Sequence, residues 1–158
     1  MLKYVDTKVV FQEVPDEISL AITISNCPCH CEGCFSPHLA EDIGTELTIE
    51  ELVRLGTETE GITCIAFMGG DNDPKRINKL AKFVTEELDL KVAWYSGRQY
   101  IPDEIDICNF NYIKIGPYIP KLGGLDNENT NQIMYEVNII DQKYVLKEIT
   151  YKFRKHED

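Results

Sequence analysis

Apolar residues along this chain follow two rhythms. Ile18-Ser-Leu-Ala-Ile-Thr-Ile24, Ile62-Thr-Cys-Ile-Ala-Phe-Met68, Leu90-Lys-Val-Ala-Trp-Tyr95 and Tyr112-Ile-Lys-Ile115 are short, nearly continuous apolar runs. Runs of that length suit strands covered on both faces. Between them the spacing widens to that of helices. Thr48-Ile-Glu-Glu51 has the form of a capping box, and Leu47, Leu52 and Leu55 are helically spaced, which predicts a helix over residues 48–58. Gly61 ends the connection that follows. Asp73-Pro74 opens a second helix with proline in its first turn, and Ile77, Leu80, Ala81, Val84 and Leu88 mark its apolar face.

Each strand run ends on turn residues: Gly69-Gly70-Asp71, Ser96-Gly97 and Gly116-Pro117. Residues 2–14 are rich in β-branched and aromatic side chains and read as an extended lead-in or edge strand, broken at Pro15. A weak turn or short helix is expected over 102–107. Residues 123–132 are polar and read as a surface loop. Residues 133–153 alternate enough for a strand pair turning at Asp141-Gln142, with a helix as the alternative. Strands alternating with helices are the α/β signature. The expectation is a single domain over 1–158, with an α/β core at 18–122 and a loop plus C-terminal extension at 123–158.

Composition narrows the class. A chain of 158 residues with 43% hydrophobic content can bury a real core. Its formal net charge of −11 argues against sequence-independent nucleic-acid binding, which needs Lys and Arg at the phosphates. That charge serves solubility or faces a cationic partner. No apolar run approaches the ~18 residues of a membrane span, and the first residues carry no secretory signal. A cytoplasmic protein without a membrane partner is the expectation.

The chemistry concentrates in Cys27-Pro-Cys-His-Cys31-Glu-Gly-Cys34-Phe35. In a reducing compartment such crowding points to metal or redox chemistry rather than disulfides. Cys64 and Cys108 lie in apolar surroundings and read as buried small hydrophobes. Structural zinc prefers two separated ligand pairs, and no second C-x2-C follows, although Cys29 or His30 could supply a fourth ligand. Iron–sulfur clusters normally take four cysteines. Cys27, Cys31 and Cys34, spaced C-x3-C-x2-C, would leave one iron of a [4Fe-4S] cluster open to a small molecule. Cys29 is then a bystander, or the fourth ligand that closes the site.

This loop, followed by aromatic Phe35, resembles that of the radical S-adenosylmethionine superfamily. The resemblance implies that Cys27, Cys31 and Cys34 hold the cluster, that Gly33, Cys34 and Phe35 lie near the bound S-adenosyl-L-methionine, and that Gly69-Gly70-Asp71 binds its methionyl amine. Cys31-Glu-Gly33-Cys34-Phe35, Gly69-Gly70-Asp71, Trp94-Tyr-Ser-Gly97 and Thr130-Asn131-Gln132 are together similar to motifs of the activating proteins of anaerobic ribonucleoside-triphosphate reductase, over roughly residues 18–135. The chain departs from that pattern at Asn26, where glycine is usual, at the extra Cys29, at Arg98, where an aromatic is common, and at Asn72-Asp73, inserted before Pro74.

The resemblance implies a shortened, open TIM-like barrel of parallel strands with extra strands at the termini. It implies reductive cleavage of S-adenosylmethionine to a 5′-deoxyadenosyl radical. That radical would remove a hydrogen from a glycine of a glycyl-radical partner enzyme, with flavodoxin or ferredoxin as electron donor. Another glycyl-radical enzyme is the alternative partner. An iron–sulfur electron carrier and a zinc-stabilised interaction module are alternatives of other classes. His30 and His38 flank the cluster and either tune it or face solvent. Lys114 either reaches the carboxylate of S-adenosylmethionine or is satisfied within the protein. Trp94 and Tyr95 read as core.

Overall fold

Four parallel strands form the middle of one open eight-stranded sheet. The computed structural model describes residues 2–27 and 41–153. The strands are β1 (Lys3–Val10), β2 (Ser19–Ile24), β3 (Thr45–Glu46), β4 (Cys64–Met68), β5 (Lys91–Tyr95), β6 (Tyr112–Ile115), β7 (Ile133–Ile140) and β8 (Lys143–Glu148). Their spatial order is β3-β1-β2-β4-β5-β6-β7-β8. The three pairings from β2 to β6 are parallel. The four outside them are antiparallel. The α/β class read from the sequence is therefore present as a mixed sheet, with β3 and β8 as its edges.

Helix α1 (Ile49–Glu58) starts as its sequence predicts, with Thr48 Oγ1 accepting from the Glu51 N–H at 3.1 Å. The other half of the capping box is diverted. The Glu51 carboxylate takes the Tyr4 hydroxyl at 2.8 Å and the Arg54 guanidinium, which ties the helix to β1. Asp73 caps α2 (Pro74–Phe83), whose last stretch widens into a π-helical turn over Val84–Leu88. Asp89 ends it with φ 52°, in the left-handed region that aspartate tolerates better than most side chains.

Alternation along the parallel strands divides the core. Leu20, Ile22, Ile24, Ile65, Phe67, Val92, Trp94 and Ile113 share one cluster with the apolar faces of α1 and α2. The opposite face is built from smaller side chains, among them Cys64, Ala66 and Ala93, packed with Val14, Met134 and Ile149. At the lower end of the sheet, buried Glu17 meets Lys91 Nζ at 2.6 Å and accepts from Thr63 Oγ1, with the Tyr112 hydroxyl 3.4 Å away. These contacts pin the segment after β1 to the starts of β5 and β6.

The C-terminal stretch is a strand pair, not a helix. Asp141 and Gln142 both have positive φ, 50° and 65°, as a two-residue type I′ hairpin turn requires. Cys64 is buried as expected, but Cys108 is exposed. The 3-10 turn Ile107–Asn109 breaks the strand-like alternation there, and Ile105 and Phe110 take the buried positions instead. Among the described residues, no helix is long and apolar enough to cross a membrane.

Burial pushes the Cys64 thiol up to about 12 and raises the Tyr95 and Tyr112 hydroxyls above their ordinary range. A raised folded-state value means stability that is complete below the unfolded value and lost as pH rises through the folded one. For Cys64 that window runs from 9.0 to about 12. Urea midpoints should therefore fall steadily over that range, and Cys64→Ala should flatten the fall. Native iodoacetamide labelling should mark Cys108 and spare Cys64 until the chain unfolds.

Candidate functional site at the strand-end rim

Parallel strands bring all their C-terminal ends to one side of a sheet, where α/β proteins bind ligands. Here that rim carries Ser25-Asn26-Cys27 after β2, Gly69-Gly70-Asp71 after β4, Ser96-Gly97-Arg98 after β5 and Gly116-Pro117 after β6. Backbone hydrogen bonds continue across it, from Gly69 N–H to Tyr95 O at 3.0 Å and from Ser96 N–H to Lys114 O at 2.8 Å.

Cys27 is half-buried at this rim. Asn26 before it has φ 58° and donates its N–H to Glu41 O at 2.9 Å. Ser25 donates its N–H to Lys3 O and its hydroxyl to Ile43 O. Residues 26 and 41 are thus paired beside the start of β1. Cys29, His30, Cys31, Gly33, Cys34, Phe35 and His38 lie in the intervening segment, outside the described residues.

The glycines of Gly69-Gly70-Asp71 have φ 111° and 91°. A Cβ on Gly69 would lie 3.1 Å from Ile24 O, and one on Gly70 would lie 2.5 Å from Ile77 Cδ1. The positive φ at both positions, together with the nearness of Ile24 O and Ile77, favours glycine before any ligand is considered. The indole N–H of Trp94 donates to Gly69 O at 2.7 Å, and its ring lies in the core as expected.

Asp71 is 1% exposed. Its Oδ1 accepts from the Ser96 hydroxyl and its Oδ2 from the Gly97 N–H at 2.9 Å. Arg98 closes the junction, with Nη2 donating to Asp71 O at 2.7 Å and Nε 3.9 Å from Oδ1. The aspartate thus organises the loop after β5. Ser96 lies in the Trp94-Tyr-Ser-Gly97 motif and Arg98 departs from it, but their contacts with Asp71 were not legible in the sequence, because they span 25 or more residues of chain.

Lys114 is buried on the face opposite the helices. Its ammonium donates to Ser96 O at 3.0 Å and to Gly116 O at 2.8 Å, joining the ends of β5 and β6. Thr130-Asn131-Gln132 reaches the same rim. The Asn131 amide donates to Pro117 O at 3.0 Å, and Gln132 Cα would meet a Cβ on Gly116 at 2.9 Å.

Buried polar atoms normally have partners. Among the described residues, buried side-chain atoms without one are Ser19 Oγ, Asn72 Oδ1, Arg98 Nε and Asn131 Oδ1. Three of these four belong to the rim. Of the residues that would hold a cluster, Cys27 stands on this rim, and Cys31 and Cys34 lie outside the described residues.

Removing the Asp71 carboxylate leaves the Ser96 hydroxyl, the Gly97 N–H and Arg98 short of an acceptor. Asp71→Ala should cost about 2–4 kcal/mol in urea unfolding, and Asp71→Asn, which keeps one acceptor, roughly half of that.

Comparison of the chain with protein-family models, with curated proteins and with solved structures returned no match.

Proposed function

We propose that this chain is a radical S-adenosylmethionine enzyme that generates a glycyl radical on a partner, anaerobic ribonucleoside-triphosphate reductase being the preferred one. The observation that carries the reading is adjacency. Cys27 and Gly69-Gly70-Asp71 follow β2 and β4, which are parallel neighbours, so the two most specific motifs of the resemblance meet at one rim. Asn26 adds support. It stands where the resemblance expects glycine and takes a positive φ, which asparagine adopts more readily than most other residues.

In this reading the open sheet is a shortened TIM-like half-barrel. The face lined by Ala66 and Ala93 is its inner side, which Val14, Met134 and Ile149 fill. Cys27, Cys31 and Cys34 would hold a [4Fe-4S] cluster. When bound and reduced, that cluster supplies one electron to open the sulfonium C–S bond of S-adenosylmethionine. The main chain of Gly69-Gly70 lines the ligand's methionyl end. Asp71 accepts from its amine and fixes the Ser96-Gly97 loop beside it. Lys114 holds the ends of β5 and β6 in place. Flavodoxin or ferredoxin would deliver the electron.

Anaerobic reconstitution with iron and sulfide tests this. The expected outcome is a reducible cluster whose EPR signal changes on addition of S-adenosylmethionine, with release of 5′-deoxyadenosine. Alanine at Cys27, Cys31 or Cys34 should abolish the cluster, while Cys29→Ala should keep it. A cluster that needs Cys29 and ignores S-adenosylmethionine would make the chain an electron carrier. Zinc alone, with no cluster formed, would make it an interaction module.

A further inference from the structure

We propose that the outer edge of β8 pairs with the same edge of a second copy of this chain, about a two-fold axis through Leu146 that joins the two sheets. β8 ends the sheet, and among the described residues β7 is its only strand partner. An edge strand presents unpaired N–H and C=O groups that can pair with another strand, and proline or a β-bulge commonly prevents this. β8 runs over six residues, Lys-Tyr-Val-Leu-Lys-Glu, without proline and in unbroken register with β7. The inference needs no cluster and stands apart from the strand-end rim.

The hairpin fixes which groups are free. In a two-residue turn the flanking Ile140 and Lys143 form a hydrogen-bonded pair, and such pairs then alternate along the ladder. Ile149 N–H follows that alternation, donating to Met134 O at 2.8 Å, while Val137 N–H turns the other way, to Asn111 O at 2.8 Å. Lys143, Val145 and Lys147 therefore bond to β7, and Tyr144, Leu146 and Glu148 turn their backbone groups outward. The same alternation sorts the side chains. Tyr135 and Val137 pack with the helix-side core, so Ile139 and the residues opposite it and Val137, Tyr144 and Leu146, lie on that face. There Ile139, Tyr144 and Leu146 form an exposed apolar stripe.

Charge selects the occupant and the register. The net charge of −11 opposes contact between two copies over most of the surface, but β8 carries Lys143 and Lys147 against Glu148 alone. Directly opposed side chains share one face of a sheet, so a two-fold axis normal to it must pass through a residue. Through Val145 it would set Lys143 against Lys147 of the other copy, and like charges directly opposite are destabilising. Through Tyr144 or Lys147 it would leave only a short overlap. Through Leu146 no like charges oppose one another: Leu146 meets Leu146, Tyr144 meets Glu148 and Val145 meets Lys147. The strand is thus complementary to itself, as a two-fold contact requires, and the outward backbone groups of Tyr144, Leu146 and Glu148 meet in pairs.

The test is sedimentation velocity on the full chain from about 1 to 100 μM, in a thiol reductant so that no disulfide joins copies. A reversible dimer is expected. Leu146→Lys and Leu146→Glu each set like charges on the axis and should weaken it at least about tenfold, while their equimolar mixture should recover it. Leu146→Pro removes one outward N–H and no bond to β7, and should weaken it as well. Leu146 is exposed, and an unchanged circular dichroism spectrum verifies the fold of each variant. A monomer at about 100 μM overturns the proposal and leaves the edge to a strand of another protein. A dimer that keeps its affinity in the charge variants, or a mixture that stays monomeric, overturns it too.

Discussion

The carboxylate of Asp71 is the junction on which the upper end of this fold depends. Burying an anion costs several kcal/mol unless hydrogen bonds and an opposite charge replace water. Ser96, Gly97 N–H and Arg98 make that replacement. The consequence is geometric. The β4–β5 ladder ends at Met68 and Tyr95, one further backbone bond joins Gly69 N–H to Tyr95 O, and beyond it side chains hold the two loops in register. Asp71 does so from one strand end, Trp94 returns the bond through Gly69 O, and Lys114 extends the stitching to β6. The rim is a continuation of the sheet by other means.

Local chemistry was readable in the chain. The four parallel strands, the start of α1 at Thr48, the start of α2 at Asp73-Pro74 and the turn at Asp141-Gln142 each follow from residues within a few positions of one another. The parts that escaped reading depend on distance along the chain. β3 is only Thr45–Glu46 and has no pattern of its own; it exists because Lys3 and Tyr4 offer it a partner. With β3 outside it, β1 lies between two strands instead of forming the edge. Glu17 reads as part of a Pro-Asp-Glu break, and its burial against Lys91 becomes visible only when residues 74 positions apart come together. Cys108 shows the reverse case, where apolar neighbours suggested burial and a 3-10 turn rotated the thiol outward.

The candidate site was legible by position more than by role. Gly69-Gly70-Asp71 sits at the rim, as a strand followed by a Gly-Gly turn requires. Yet positive φ and the nearness of Ile24 O and Ile77 favour the glycines, and strand-end hydrogen bonds account for a buried aspartate. A motif of this kind can therefore arise from packing alone, and its chemical meaning has to come from what stands beside it. The neighbour here is Cys27, which follows β2, the strand beside β4.

The base of the cysteine segment supplies the last constraint. The hydrogen bond from Asn26 N–H to Glu41 O pairs residues 26 and 41 at the rim. Cys31 is four positions beyond Cys27, which limits their Cα distance to at most ~14 Å, and Cys34 is three positions further. A zinc module built on two distant pairs draws two parts of a fold together, and its ligands come from separate elements. In the proposed reading the thiols come from one stretch of sequence, so a metal bound by them would add no tie between elements that the sheet has not already joined. Such a centre would be free to serve chemistry at the parallel strand ends, where α/β proteins bind ligands.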